Sequence, residues 1–135
     1  MATIGQLRDG LAARLATISG LRASAIVPEQ INPPVAVVSL DRIEYDSTLG
    51  RGLDRFIFTV TVLVSRPAER SGQVAIDAYA ASAGATSVKE AIEEESTLGG
   101  VASDCHVTQM RGVSPVSIGD QTYLSAEFEI TVLAA

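Results

Sequence analysis

The segment that most constrains the fold of this 135-residue chain is DRIEYDSTLGRGLDRFIFTVTVLVSR, at positions 41–66. Its pattern predicts a strand, a glycine-rich turn that carries charge, and a long second strand over 55–65. Side chains alternate between the two faces of a strand, so one face of the second strand is wholly apolar and the other is apolar in part. The first face carries Phe56, Phe58, Val60, Val62 and Val64, and the second carries Ile57, Thr59, Thr61 and Leu63.

A strand with apolar residues on both faces is normally covered on both sides. In a chain of this size we expect one of the two covers to be another subunit. The loop at 46–54 is either an ordinary solvated turn or an arm that becomes ordered against a neighbour, because its glycines give mobility and its arginines can form charge-assisted hydrogen bonds. Candidate residues of this hairpin for an interface with another subunit or another protein are Tyr45, Leu49, Arg51, Arg55 and Ile57.

The composition suits one domain, 1–135, with a core of aliphatic side chains. Hydrophobic residues make up 47% of the chain, and aromatic residues only 4%. A formal net charge of −6, with ten scattered basic residues, argues against specific nucleic-acid binding. The chain shows no signal-peptide pattern and no apolar run near the roughly 20 residues of a membrane span, so we expect a protein made in a reducing cytoplasm with no membrane partner.

The order of periodic segments predicts an α+β fold. An N-terminal helix over 3–20 begins with a capping box of Thr3 and Gln6 and has an apolar stripe at steps of three and four. A hairpin of 35–45 with 55–65 follows. Two helices come next, over 72–81 and from Ser87 onward, the first with Val74, Ala78 and Ala81 on one face and with Ile76 and Tyr79 beside them.

A second hairpin closes the chain, with strands at 104–111 and 121–133. The last strand alternates strictly between apolar and polar residues, which is the clearest strand pattern present. Helices and hairpins occupy separate blocks, and this predicts one largely antiparallel sheet with helices packed against it. The segment 113–120 between the two strands is predicted to be a turn, and its Val116 and Ile118 are two further candidate interface residues.

Residues that carry chemistry are few. Cys105 is the single cysteine and His106 the single histidine, so neither a disulfide within the chain nor a cysteine- or histidine-based metal site is expected. The acidic run Glu93, Glu94 and Glu95 predicts a solvated helix face or a repulsive or docking surface. We therefore expect no enzyme activity, no cofactor and no catalytic residue.

Five segments together resemble the tail terminator, or tail-completion, proteins of actinobacteriophages with long non-contractile tails. They are IGQLRDGLAARLATISGL, EYDSTLGRGLDRFIFTVTVLV, AGATSVKEAIE, TLGGVASDCHVTQMRG and YLSAEFEITVLA, in that order. The resemblance runs over nearly the whole chain and depends on the order and spacing of these segments, since none of them is a mechanistic motif.

The resemblance implies a structural protein of the virion that forms a ring of six copies. Such a ring caps the completed tail tube and joins the tail to the neck, with DNA passing through the lumen. The lumen is then expected to be acidic or neutral, with Glu93, Glu94 and Glu95 as candidate residues. The implied partners are further copies of this chain, the major tail tube protein and a neck stopper or connector protein. A closed ring needs a heterologous interface, in which one surface patch meets a different patch on the next copy.

Two alternative functions stay open on the sequence. One is a head-to-tail stopper or adaptor of the neck, which is of similar size and equally poor in reactive residues. The other is an α+β domain that binds a small molecule or catalyses a reaction, which would require a polar pocket. Contact with the tail tube separates the terminator from the stopper.

Overall fold

The computed structural model describes residues 3–18, 21–24, 34–45, 53–64, 70–118 and 121–134. Helix α1 spans Ile4–Leu15, and strands β1 (Arg22–Ser24), β2 (Val35–Glu44) and β3 (Asp54–Val64) follow it. Helices α2 (Arg70–Ala80) and α3 (Val88–Glu93) come next, then a 3-10 turn at Leu98–Gly100 and strands β4 (Asp104–Ile118) and β5 (Gln121–Ala134). These elements confirm the predicted α+β class.

The five described strands form one mixed sheet in the order β1-β2-β3-β5-β4. Both predicted hairpins are confirmed: β2 pairs antiparallel with β3, and β4 pairs antiparallel with β5. Strand β3 lies at the centre and also pairs antiparallel with β5. The parallel pair of β1 with β2, in which Arg22 lies opposite Val35, was not predicted. Three residues are too few for their pattern to indicate a partner strand.

The core lies between the helices and one face of the sheet. Helix α1 packs against β1 and β2, α2 against β3 and β5, and α3 against β4 and α1. The predicted inward faces of β3 and β5 are both buried there, which confirms the period-two interpretation. Their residues are Phe56, Phe58, Val60, Val62, Val64, Leu124, Ala126, Phe128, Ile130 and Val132.

Helix α1 begins as predicted but ends early. Thr3 Oγ1 accepts a hydrogen bond from the Gln6 N–H at 3.1 Å, and the Gln6 side chain accepts one from the Thr3 N–H at 2.9 Å. This capping box supplies acceptors to N–H groups at the helix start, where the backbone has none. The helix ends at Leu15 rather than near Gly20, which lies outside the described residues. Gly10 has a packing role, since a Cβ there would lie 3.0 Å from Leu98 Cβ.

The predicted inward face of α2 was wrong. Ile76 and Tyr79 are buried in the core, whereas Val74 is 60% exposed and Ala78 half-buried. At about 100° per residue, Ile76 and Tyr79 lie on the same side of the helix and Val74 on the opposite side. The larger apolar pair determines the orientation because it buries more surface.

The predicted turn at 113–120 was also largely wrong, because β4 continues to Ile118, which pairs with Gln121. Two bulges interrupt the period-two pattern of this strand, one between Val107 and Gln109 and one between Arg111 and Ser114. Each bulge adds a residue and shifts the phase of the inward–outward alternation. Gly112, in the second bulge, has φ of +70°, a conformation that glycine adopts without strain.

Candidate interaction surfaces

The second face of β3, opposite the helices, is better covered than its sequence suggested. Ile57 and Leu63 point away from the helical core, yet they are only 3% and 2% exposed. Val35 and Val37 of β2 are buried as well. Ile57, a candidate interface residue, therefore offers a partner almost no surface of its own. A partner on this face would contact the polar side chains around it.

These polar side chains line a shallow hollow of about 330 Å³ on the sheet. Arg55, another candidate, forms an ion pair with Glu44 at 3.4 Å, and Arg42 pairs with the same carboxylate at 3.4 Å. On the far side of the hollow, Glu129 accepts hydrogen bonds from Thr108 Oγ1 at 3.1 Å and from Gln109 Nε2 at 2.9 Å. The charges of the hollow are thus largely compensated within the chain, so it has little net attraction for a charged ligand.

Tyr45 follows β2 directly and is 72% exposed, the highest value among the described large apolar residues. Its position at the end of β2 follows from the register of the sheet, in which Glu44 lies opposite Arg55 and Arg55 opposite Leu133. A tyrosine with an exposed apolar ring and a terminal hydroxyl is a frequent anchor in protein interfaces. Tyr45 is therefore the strongest of the predicted candidates in the described chain.

A cleft of about 210 Å³ lies at the other end of the sheet, between α2 and β4. Its floor is apolar, formed by buried Ile76 and Leu124, and its rim is formed by Met110 and Val113. These rim residues are 37% and 51% exposed. Asp77 supplies a carboxylate at the wall of the cleft.

Val74 is also exposed, but it lies on the side of α2 opposite Ile76 and does not line the cleft. Contiguous apolar surface rimmed by polar groups is typical of interaction sites. Sequence reasoning did not find the cleft, because α2, β4 and β5 contribute its residues from three separate segments. No single segment of the sequence carries a signal for such a cleft.

The outer edge of β4 is protected against strand pairing. Glu93 of α3 accepts a hydrogen bond from the outward-facing Val107 N–H at 3.0 Å. Further along, both bulges interrupt the ladder, and Pro115 has no N–H to donate. Carboxylate caps, bulges and prolines are the means by which proteins prevent edge strands from recruiting other chains. Contact with another molecule here is therefore expected through side chains.

The acidic run has two roles. Glu93 is half-buried and also binds Lys89 Nζ through both carboxylate oxygens, at 2.6 and 2.5 Å. Burial acts to raise the pKa of Glu93, but the hydrogen bonds from Lys89 and Val107, together with the charges of Lys89 and His106, outweigh it and hold the pKa below its ordinary value. Glu94 and Glu95 form ion pairs with Arg14 at 3.5 and 3.7 Å and remain at least half exposed.

The other candidate residues are placed as follows. Val116 is half-buried in β4, and Ile118 ends the same strand opposite Gln121. Leu49 and Arg51 lie outside the described residues. Cys105 is buried, and burial, with the charges of Asp104 and Glu93, raises the pKa of its thiol to about 12. A thiol with so high a pKa is a poor nucleophile at neutral pH.

In the part of the chain that the structure describes, no cluster of three or more His, Cys, Asp or Glu side chains could hold a metal ion. The helices of that part are also too short or too polar to cross a bilayer. No known protein-family model matches the chain, and no curated protein matches it significantly.

Proposed function

We propose that this chain is a structural subunit of a phage tail, a tail terminator that assembles into a six-membered ring on the end of the tail tube. The resemblance of its five sequence segments to such proteins supports the proposal. The main structural support for the proposal is that one subunit has two different exposed apolar features, Tyr45 and the cleft at Met110 and Val113. Different patches on one subunit are what a closed ring requires.

The chemistry of the described surfaces agrees with a structural role. The thiol of Cys105 is buried, and the hollow at Arg55 holds charges that are compensated within the chain. Among the described residues that line the exposed apolar cleft, Asp77 is the single titratable group. His106 lines this hollow of compensated charges and not the apolar cleft.

Net charge supports the passage of DNA through such a ring. Six copies of −6 each give −36 formal charges. Binding of phosphates depends on the release of counterions by clustered basic groups, so a lumen of acidic or neutral side chains lets DNA pass without adhering. Glu93 is engaged with Lys89 and Val107, so Glu94 and Glu95, which pair with Arg14 but stay at least half exposed, are the members of the acidic run proposed to face a lumen.

The proposal is tested by sedimentation and electron microscopy of the purified protein, alone and with tubes assembled from the major tail tube protein. A ring at the tube end supports the terminator. Binding to the neck complex without any binding to tubes would indicate a stopper or adaptor. A monomer that binds neither would overturn the proposal.

A further inference from the structure

We propose that Tyr45 of one copy inserts into the cleft formed by Ile76, Asp77, Met110, Val113 and Leu124 of the next copy. This inference deepens the proposed function and rests on it, because it names the contact that joins neighbouring subunits. The contact is heterologous: the inserting side chain and the cleft that receives it are different parts of the same chain.

The two features cannot meet within one subunit. Tyr45 adjoins the row in which Glu44, Arg55 and Leu133 lie opposite one another, whereas Leu124 of the cleft lies opposite Val64. From Leu133 to Leu124 the distance along β5 is about 30 Å at roughly 3.4 Å per residue. Tyr45 and the cleft are also on different strands, since β3 and β5 separate β2 from β4. Each is therefore available to another molecule.

The cleft suits a tyrosine in its chemistry. Its floor of Ile76 and Leu124 is apolar and can cover the ring, and Met110 on the rim can place its sulfur against the ring. The side chain of Asp77 at the wall of the cleft can accept a hydrogen bond from the tyrosine hydroxyl. A volume of about 210 Å³ is of the size of one large side chain rather than of a cofactor.

Pairing through β4 is the competing way to join copies, and the protected edge disfavours it. Glu93 already occupies the Val107 N–H, and the bulge at Arg111 and Ser114 breaks the ladder beside the cleft. The same bulge places Val113 at the rim, where it is half exposed. The bulges of β4 therefore disfavour strand pairing between copies and expose Val113 for the contact with Tyr45.

The first experiment traps the contact by a disulfide. The variant Tyr45→Cys/Val113→Cys, in a Cys105→Ala background, should form a ladder of covalent oligomers under oxidising conditions once rings have formed on tail tubes. A mixture of the two single-cysteine variants should stop at the dimer, because each chain then offers only one half of the contact. Tyr45→Cys combined with Ala13→Cys, whose second site is exposed on α1, should give no ladder.

The second experiment measures association. Tyr45→Ala should weaken self-association by about tenfold or more, as expected for an interface anchor. Tyr45→Phe should weaken self-association less, because it removes only the hydrogen bond to Asp77. Adding Asp77→Asn to Tyr45→Phe should cause no further loss of affinity. Circular dichroism should show unchanged folding for every variant, because Tyr45 is exposed.

The outcomes separate this inference from the proposed function. Rings of normal yield that form no ladder, or that tolerate Tyr45→Ala, overturn the Tyr45 contact and leave the terminator proposal standing. Cross-linking of the Tyr45→Cys variant to the tube protein instead of to a second copy also overturns it. Failure of the unmodified protein to form rings under any condition overturns both.

Discussion

The carboxylate of Glu93 is expected to hold α3 against the edge of β4, and Glu93→Gln tests this directly. Two interactions depend on its charge. The first is the ion pair with Lys89, an i,i+4 pair between partly exposed side chains, for which about 0.3–0.5 kcal/mol is typical. The second is the hydrogen bond from the Val107 N–H at 3.0 Å. Glutamine can still accept that bond, so only its charge-assisted part is lost, about 0.5–1 kcal/mol.

Together these terms predict that Glu93→Gln lowers the free energy of unfolding by about 1 kcal/mol at pH 7. Glu93→Ala should cost about 1.5–3 kcal/mol, because it also leaves the Val107 N–H without its acceptor. Urea denaturation followed by far-UV circular dichroism measures both values. Glu94→Gln is the matched control: its side chain is 72% exposed, so its ion pair with Arg14 should contribute less than about 0.5 kcal/mol.

The pH dependence identifies the charge as the cause. The pKa of Glu93 is lower in the folded protein than in the unfolded chain, so its contribution is complete above the unfolded pKa and is lost as the pH falls through the folded one. The stability difference between the unmodified protein and Glu93→Gln should therefore be constant above about pH 5 and shrink below about pH 4. Equal losses for Glu93→Gln and Glu94→Gln, or a difference that persists undiminished at pH 3, would refute the assigned role.

Three further experiments test core packing, backbone strain and the burial of the thiol. Phe58→Ala should destabilise the fold by about 3–5 kcal/mol in urea denaturation, because the ring is fully buried in β3, whereas Val74→Ala on the exposed side of α2 should stay within about 0.5 kcal/mol. Gly112→Ala should lower the free energy of unfolding by about 1–2 kcal/mol, because alanine is strained at a φ of +70°. The control Gly5→Ala lies in the first turn of α1, where the new Cβ has no atom nearer than 3.8 Å, so it should be neutral or stabilising by up to about 1 kcal/mol. Equal effects of the two substitutions would contradict the strain argument. The Cys105 thiol should react with a disulfide reagent at pH 8 only after denaturation, because a pKa of about 12 leaves roughly one thiol in ten thousand ionised. Rapid reaction of the native protein would show that this thiol is not buried.

The parts of the fold that the sequence predicted are those in which one short-range rule operates without interruption. Alternation at period two identified the inward faces of β3 and β5, and the cap at Thr3 fixed the start of α1. The unpredicted parts depend on contacts between distant segments. Ile76 and Tyr79 point inward because packing them against the sheet buries more apolar surface. Strand β4 continues past Gly112 because β5 pairs with it along its length.

The same distinction applies to the candidate site. Tyr45 could be selected from the sequence because it adjoins the long hairpin loop at 46–54. Ile57 was selected for its position on the second face of β3, but burial within the chain depends on neighbouring strands and is not visible in a single segment. The cleft at Met110 could not be predicted, because it exists only when α2, β4 and β5 are assembled.

The net charge predicts that salt promotes the proposed assembly of copies. Each copy carries a formal charge of −6, so copies repel one another as they approach. At physiological ionic strength the screening length is about 8 Å, which limits this repulsion to groups close to the contact. The proposed contact depends mainly on the burial of apolar surface, which moderate salt does not weaken. Self-association measured by sedimentation should therefore increase from about 0.01 M to about 0.15 M salt. An interface held by ion pairs between copies would show the opposite trend, and that result would rule out the Tyr45 contact as the main source of affinity.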